Sequence, residues 1–480
     1  MSVEMPRLVI AGLSGDSGKT VVSLSIIAAL RKEGASVVPF KKGPDYIDAS
    51  WLGCIAGRSC RNLDTYLVAP QDVLARFAGS VGSADTAVIE GNRGIHDGRD
   101  SSGTHSTAEL ARLLKAPVIL VVNTAKTTRT VAALIKGCID FDHDVTYAGV
   151  ILNRIAGERH KRVISEAIEK YCGLPVLGTI PRLGDDTSII PGRHLGLVTP
   201  AESESSTNLN KLLVDIGTKY INIGALKNIA LKAEPLEEHS EETAGTADEI
   251  VSIGYFKDSV FTFYYPENLE ALERCGARLV PISSVEDASL PDIDALYIGG
   301  GFPETQADKL VNNKSMMESV KASALDGLPI YAECGGLIYL SKSITWNDKC
   351  YRMAELFPID LKMNSRPVGH GYTELCVNKT NPFFEIGTII KGHEFHYSGP
   401  VAGQDIPSGC MEVVTGSGIE KGSDGLTVKN TLACYTHIHA DGMKQWALSM
   451  VKKAGEYKKS RRDGAAGNFK SSPRRNSRAA

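Results

Sequence analysis

A chain of 480 residues, 42% hydrophobic and 23% charged, is too long for one ordinary core and suits two or three domains, with two as the working number. Its net charge of -3 offers no overall attraction to nucleic acid or to an anionic membrane, so neither partner is expected. No stretch of about 18 apolar residues passes without a charge, and the ten cysteines contain no C-x-x-C pair. A soluble cytoplasmic protein is expected, without a zinc ribbon or a disulfide framework.

In chain order, the first apolar strand, RLVIAG, runs into Gly12-Leu-Ser-Gly15-Asp-Ser-Gly18-Lys19-Thr20 and then into a helical pattern. A glycine-rich turn between strand and helix can cradle phosphates on backbone N–H groups and a helix N-terminus. Five residues separate Gly12 from Gly18 where the standard phosphate loop has four, a length that resembles dethiobiotin-synthetase-like ATPases. Lys19 would neutralise β- and γ-phosphates, and the Thr20 hydroxyl would bind Mg²⁺, a hard ion that takes oxygen ligands.

The runs ASVVPF, TAVIEG, PVILVVN, YAGVILN and LPVLGTI follow, separated by crossover-length segments. That grammar predicts a doubly wound α/β domain with a buried parallel sheet, whose ligands gather at the carboxyl ends of the strands. Two segments at such ends supply carboxylates, Lys41-Lys42-Gly-Pro-Asp45-Tyr46-Ile47-Asp48 and Glu90-Gly-Asn92-Arg93-Gly-Ile-His-Asp97-Gly98. Asp45 and Glu90 are the expected metal ligands beside Thr20, the alternative being plain turn residues. Lys41, Lys42 and Arg93 could meet phosphate or a substrate carboxylate. Asn153, at the end of GVILN, either reads the nucleotide base or caps the next helix.

Residues 233–249 are acidic and poor in large apolar side chains, which reads as a solvated linker between a domain over 1–232 and another over 250–456. The second half resumes the α/β pattern with IVSIGYF, ARLVPIS, ALYIGGG and PIYAECGG. In Ala332-Glu-Cys334-Gly335-Gly336 a cysteine sits between a strand and a glycine-led helix, the arrangement of a nucleophile elbow. Its base must be close in space, though it can be distant in sequence. His437, in Tyr435-Thr-His437-Ile-His439 after an apolar strand, is the best candidate, and the period-two spacing puts both imidazoles on one face. The segment Gly299-Gly300-Gly301-Phe-Pro-Glu after ALYI resembles the oxyanion loop of class I glutamine amidotransferases, which implies that backbone N–H groups of Gly300, Gly301 and Gly335 could form an oxyanion site. The cluster GHEFHYS, Gly392 to Ser398, has no role that chemistry alone assigns. Residues 457–480, basic and rich in Ser, Gly and Ala, are expected to be disordered.

Together the long phosphate loop, PFKKGPDYID, EGNRGIHDG, RHLGLV at Arg193 to Val198, GGGFPE, AECGGLIYLS, GHEFHYS and YTHIH resemble the cobyrinic acid a,c-diamide synthase family over nearly the whole chain. The acidic stretch and basic tail are excepted. The resemblance implies a P-loop, dethiobiotin-synthetase-like domain followed by a class I glutamine amidotransferase-like α/β domain. The second domain would hydrolyse L-glutamine through a Cys334 thioester. The first would use ATP and Mg²⁺ to phosphorylate a tetrapyrrole carboxylate that ammonia then converts to an amide. It further places Asp48 and Asp97 with Asp45 and Glu90 in the synthetase site, and Tyr46 and Ile47 near the tetrapyrrole. Class I amidotransferases carry His-x-Glu where this chain has His437-x-His439, so the resemblance implies His437 as base with His439 as its helper in place of the Glu.

Polar Asn92-Arg93 stands where cobyrinate enzymes read Val-Met, and the stretch after Asp97 is closer to siroheme amidases; nickel-sirohydrochlorin a,c-diamide synthases share the chemistry. A homodimer is compatible with this reading. The rival classes are a P-loop regulatory ATPase carrying an inactive amidotransferase-like half, and a dethiobiotin synthetase, which would leave the second half unexplained.

Overall fold

The structure is a computed structural model that describes residues 2–183, 192–193, 196–197, 199–200, 206–237, 250–420 and 422–470. The chain divides into two compact units, 1–242 and 243–480, with the division inside the acidic stretch. Residues 194, 195 and 198, half of RHLGLV, lie outside the described residues, as do residues 238–249 and 471–480. Among the described residues no helix is long and apolar enough to cross a membrane.

In the first unit, strands β1 (Arg7–Gly12), β2 (Val37–Lys42), β3 (Arg61–Leu63), β4 (Thr86–Glu90), β5 (Val118–Asn123), β6 (Tyr147–Ile155) and β7 (Val176–Pro181) form one sheet in the order β3-β2-β4-β1-β5-β6-β7. Every pairing in it is parallel. Helix α1 (Lys19–Lys32) buries Val22, Leu24, Ile26 and Ile27, which pack with Ile10, Val88, Ile119 and Ile151 of the sheet and with Trp51 and Leu52 of helix α2 (Ile47–Ala56). Each such side chain contributes about 1.5–3 kcal/mol by leaving water. Helix α3 (Ser206–Tyr220) crosses α1 so closely that a Cβ on Gly217 would lie 2.3 Å from the Ser25 carbonyl oxygen.

Part of the expected linker is structured. Leu236–Glu237 pairs antiparallel with Ser2–Val3, and Arg7, buried, donates to the carbonyl of Glu234. Buried Leu236 gives these residues something to pack that the acidic composition around them conceals.

In the second unit β8 (Val251–Phe256), β9 (Ala277–Ile282), β10 (Ala295–Ile298), β11 (Ile330–Glu333), β14 (Leu426–Val428) and β15 (Thr431–Cys434) form a sheet ordered β9-β8-β10-β11-β15-β14, antiparallel only at β14. Alternation along the strands sends Leu296, Ile298, Ile330 and Ala332 to one core and Ala295, Tyr297 and Tyr331 to another. A five-stranded antiparallel sheet contains β12 (Gly369–Val377), β13 (Ile389–His396) and β16 (His437–Ile438). A helix of Gly335–Leu340, α4, follows β11, and α5 spans Lys444–Lys470.

Helix α5 continues well past Tyr457, where a disordered tail is expected. Arg461 pairs with Asp292 at 2.7 Å, Lys458 donates to the Ile250 carbonyl at 2.6 Å and Tyr457 donates to Asp326 at 3.3 Å. The apolar stripe Trp446, Ala447, Met450, Val451 and Ala454 anchors the earlier turns. Extending a helix that is already nucleated is far easier than starting one, so Lys458, Lys459, Arg461 and Arg462 prolong it without a core of their own.

Candidate functional site

The first site begins where β1 ends. After Gly12 the chain makes a short turn over Gly15–Ser17, and α1 starts at Lys19. Gly18 has φ 89°, in the left-handed region, and a Cβ there would lie 2.2 Å from Nδ2 of Asn153. That Nδ2 donates to the Ser17 carbonyl at 3.1 Å, while Oδ1 of Asn153 accepts the Arg154 N–H at 2.9 Å. Asn153 thus braces the loop, a third option beside base reading and helix capping. A Cβ on Gly12 would be 2.6 Å from Ser17 Oγ, whereas one on Gly15 would meet nothing within 4 Å.

Lys19 is buried, and its Nζ donates to the carbonyls of Ser14 at 3.0 Å and Arg93 at 2.6 Å. Burial, followed by neighbouring Lys41, lowers its pKa below the ordinary lysine value. A further bond, from the Ile95 N–H to the Gly12 carbonyl at 2.7 Å, ties the Glu90–Gly98 segment to the loop. Asp97 accepts the Gly94 N–H at 2.7 Å and so shapes that segment's turn. Arg93 is exposed, and φ of 47° marks it as part of this tight bend.

Thr20, Asp48 and Glu90 meet around Lys41. Thr20 Oγ1 donates to Glu90 Oε1 at 2.8 Å and lies 3.4 Å from Asp48 Oδ2. Lys41, 2% exposed, donates to Asp48 at 2.5 Å and to Glu90 at 2.7 Å, with Asp45 at 3.8 Å. Burial alone would lower the Lys41 pKa, but Asp48 and Glu90 together raise it well above the ordinary value. Burial raises Glu90, against the pull of Lys41. Asp48 ends up lowered: burial works the other way, and Lys41 outweighs it with the help of hydrogen bonds.

Asp45 stands one step out from the position expected of it. Its Oδ1 accepts the Asp48 N–H at 2.9 Å and caps α2, so that Asp48 is the carboxylate nearer Thr20. Tyr46 and Ile47, half-buried, occupy the start of that helix. Lys42 is buried too, and desolvation lowers its pKa despite nearby Asp64. Glu90 Oε2 is buried and makes no hydrogen bond. Among the described residues, no three His, Cys, Asp or Glu side chains form a closed metal cage. A hydroxyl, one or two carboxylates and an unsatisfied carboxylate oxygen suit a hard cation that keeps water and phosphate ligands.

The second site lies at the ends of β11 and β15. Cys334, at φ 48° and ψ -95°, makes the sharp turn from β11 into α4, and its N–H donates to the Cys434 carbonyl at 2.7 Å. Past β15, the Asp424 carboxylate accepts the N–H groups of Tyr435 at 3.2 Å and Thr436 at 3.3 Å. Burial pushes Asp424 up to about 6. The pinned bend delivers His437 into the second sheet, opposite His393.

Three glycines record the convergence. A Cβ on Gly335 would be 3.0 Å from the Gly301 nitrogen, and one on Gly300 would be 2.5 Å from Cε1 and 3.2 Å from Nε2 of His437. The glycine loop therefore lies against both the residue after the nucleophile and the imidazole. Gly301 must be glycine, because its Cβ would meet the Val260 carbonyl oxygen at 1.8 Å. The Gly300 N–H, expected in the oxyanion site, donates instead to the Phe263 carbonyl at 3.2 Å. Gly301 and Gly335 are left as the candidate donors. Burial, then Glu304, pushes the Cys334 thiol far above the ordinary thiol range, with the Gly335 N–H opposing them.

His439 does not sit where the helper role requires. Nδ1 of His437 is 3.2 Å from Glu333 Oε2, while Nε2 of His439 faces Glu267 at 3.8 Å and its Nδ1 accepts the Asp441 N–H at 3.3 Å. The signal for Glu333 was an acid ending the apolar strand IYAE directly before the cysteine. In GHEFHYS, Glu394 accepts the N–H groups of Ser417 at 2.5 Å and Gly418 at 3.0 Å. His396 stacks on Tyr435 at 3.6 Å, and His393 stacks on His437 at 5.0 Å. The cluster packs the strand behind the imidazole.

Comparison with known proteins agrees with this division. Residues 8–195 match the CobQ/CobB/MinD/ParA nucleotide binding domain family, and residues 252–445 match the CobB/CobQ-like glutamine amidotransferase domain family. A cobyrinate a,c-diamide synthase of Magnetococcus marinus is 39% identical over 93% of this chain and 97% of its own length. The chain belongs to the cobyrinate a,c-diamide synthase family. Further similar members of that name come from Archaeoglobus fulgidus, 40% identical over 95% of this chain and 98% of the relative, and Methanosarcina acetivorans, 39% identical over 95% and 97%. As a cobyrinate a,c-diamide synthase family member, the chain joins a nucleotide-binding unit to an amidotransferase-like unit.

Proposed function

We propose that this chain is a carbon–nitrogen ligase that amidates the a and c acetate carboxylates of a tetrapyrrole of the cobyrinate type, using ATP and the amide nitrogen of L-glutamine. The observation that carries the reading is the presence in one chain of a phosphate loop backed by Thr20, Asp48 and Glu90, and of a glycine loop that lies against both the cysteine turn, at Gly335, and His437.

In the second unit, His437 takes the Cys334 thiol proton as sulfur attacks the glutamine carboxamide carbon, and the N–H groups of Gly301 and Gly335 receive the oxyanion. The imidazolium returns that proton to the departing nitrogen, releasing ammonia, and water then hydrolyses the thioester to glutamate. In the first unit, Lys19 and the loop N–H groups hold the β- and γ-phosphates. Thr20, Glu90 and Asp48, with Asp45 next to them, would hold Mg²⁺, which supplies charge neutralisation to the phosphates when bound. The substrate carboxylate takes up the γ-phosphoryl group, ADP leaves, and ammonia displaces phosphate from the acyl phosphate to give the amide. Phosphorylation is needed because a carboxylate is a poor electrophile at neutral pH.

Purified protein with ATP, Mg²⁺ and glutamine is incubated separately with cobyrinate, siroheme and nickel-sirohydrochlorin, and the products are weighed by mass spectrometry. Diamide formation on cobyrinate is expected. Diamide on another macrocycle alone would move the substrate, and ATP hydrolysis without any amide would favour the regulatory ATPase.

A further inference from the structure

We propose that Glu333, the residue directly before the nucleophile, is the positioning acid of the glutaminase site, taking the place that His-x-Glu fills elsewhere. The inference rests on the reading of the second unit as a working glutaminase. Strand alternation puts Glu333 on the same face as Tyr331, and Tyr331 is the register partner of Tyr297. That face carries the core to which Ile438 belongs. The Glu333 side chain is wholly buried and accepts three hydrogen bonds: the Tyr297 hydroxyl to Oε2 at 3.1 Å, His437 Nδ1 to Oε2 at 3.2 Å, and the Ile438 N–H to Oε1 at 3.2 Å.

Two of those bonds grip consecutive residues of β16, so one carboxylate sets both the place and the rotation of the imidazole. An acceptor at Nδ1 keeps the proton there and leaves the Nε2 lone pair to act as base. Nε2 is the nitrogen that lies toward Gly300, beside the cysteine turn. Because Glu333 and Cys334 are consecutive, the nucleophile and the carboxylate that aims its base move as one piece. His439 cannot do this from its position against Glu267.

In E333Q, a side-chain amide N–H directed at Nδ1 would shift the ring proton to Nε2, the wrong nitrogen. Glutaminase kcat and KM are measured on the full chain for wild type, E333Q, H437A and the double variant, with ammonium-dependent synthesis by the same preparations as the control for folding. E333Q is expected to lose about 100-fold or more in kcat with KM for glutamine within about threefold, as for loss of the orienting acid in a triad. The double variant should be no slower than H437A. With an active wild type, an E333Q kcat within about threefold, a fully additive double variant, or a parallel loss of ammonium-dependent synthesis would each overturn the assignment. A wild-type chain with no glutaminase activity would sink the function proposed above along with it.

Discussion

Replacing Asp45 with Asn should stabilise the first unit while stopping synthesis from either nitrogen source. Asp45 Oδ1 caps α2 through the Asp48 N–H, and Asn keeps an acceptor at that position. What disappears is a carboxylate that desolvation and Asp48 push from 3.8 up to about 7. A rise of that size corresponds to about 4 kcal/mol against the ionised form. The side chain keeps 28% exposure, and solvent screening leaves about 2 kcal/mol.

Since the folded pKa is the higher one, the folded state keeps a proton that the unfolded chain has already released. The penalty is therefore absent below pH about 4, grows up to pH about 7 and is constant above. Urea unfolding of the full chain at pH about 4 and about 8 measures it, with Trp51 as the one tryptophan of the first unit. The variant should match wild type at the lower pH and gain about 2 kcal/mol at the higher. Lower stability at pH about 8, or an equal gain at both, would refute the reasoning.

Cys334→Ala should abolish glutamine-dependent synthesis and retain synthesis from ammonium salts, because only the nitrogen supply is lost; equal loss with both sources would contradict the division of labour. Lys19→Ala should remove synthesis with either source while glutamine hydrolysis survives, and unaltered synthesis would contradict the phosphate assignment. Gly300→Ala places a methyl group 2.5 Å from His437 Cε1, and a displaced imidazole should cost about 100-fold in glutaminase kcat. A kcat close to wild type in that variant would mean that the imidazole can give way without penalty.

The sheet of the first unit and its phosphate loop were legible because both follow from short-range pattern: buried runs between crossovers, and Lys-Thr opening a helix. The strand-to-helix turn at Cys334 and the place of His437 past an apolar strand were legible for the same reason, each lying in a recognisable local spelling. What was hidden depends on distant partners. His439 shares a period with His437, but the strand they would share ends at Ile438, so a spacing rule for an uninterrupted strand does not say which acid either ring meets. The Gly300 N–H is spent on Phe263, 37 residues earlier in the chain, which no local motif records. Composition also misled at two ends, since Leu236 buries itself from an acidic stretch and α5 extends through a basic one.

The anchoring of α5 bears on where this protein can be cut. Tyr457 is the boundary that composition invites, because beyond it little is left to bury. Removal at that point would take away the cation on Asp292 and the donor on the Ile250 carbonyl, next to the first residue of β8. That strand sits in the sheet whose neighbour-by-neighbour order leads through β10 to β11 and the cysteine turn. A shortened chain would therefore be exposed to fraying at the sheet that carries its nucleophile, so shortening should start beyond Arg461.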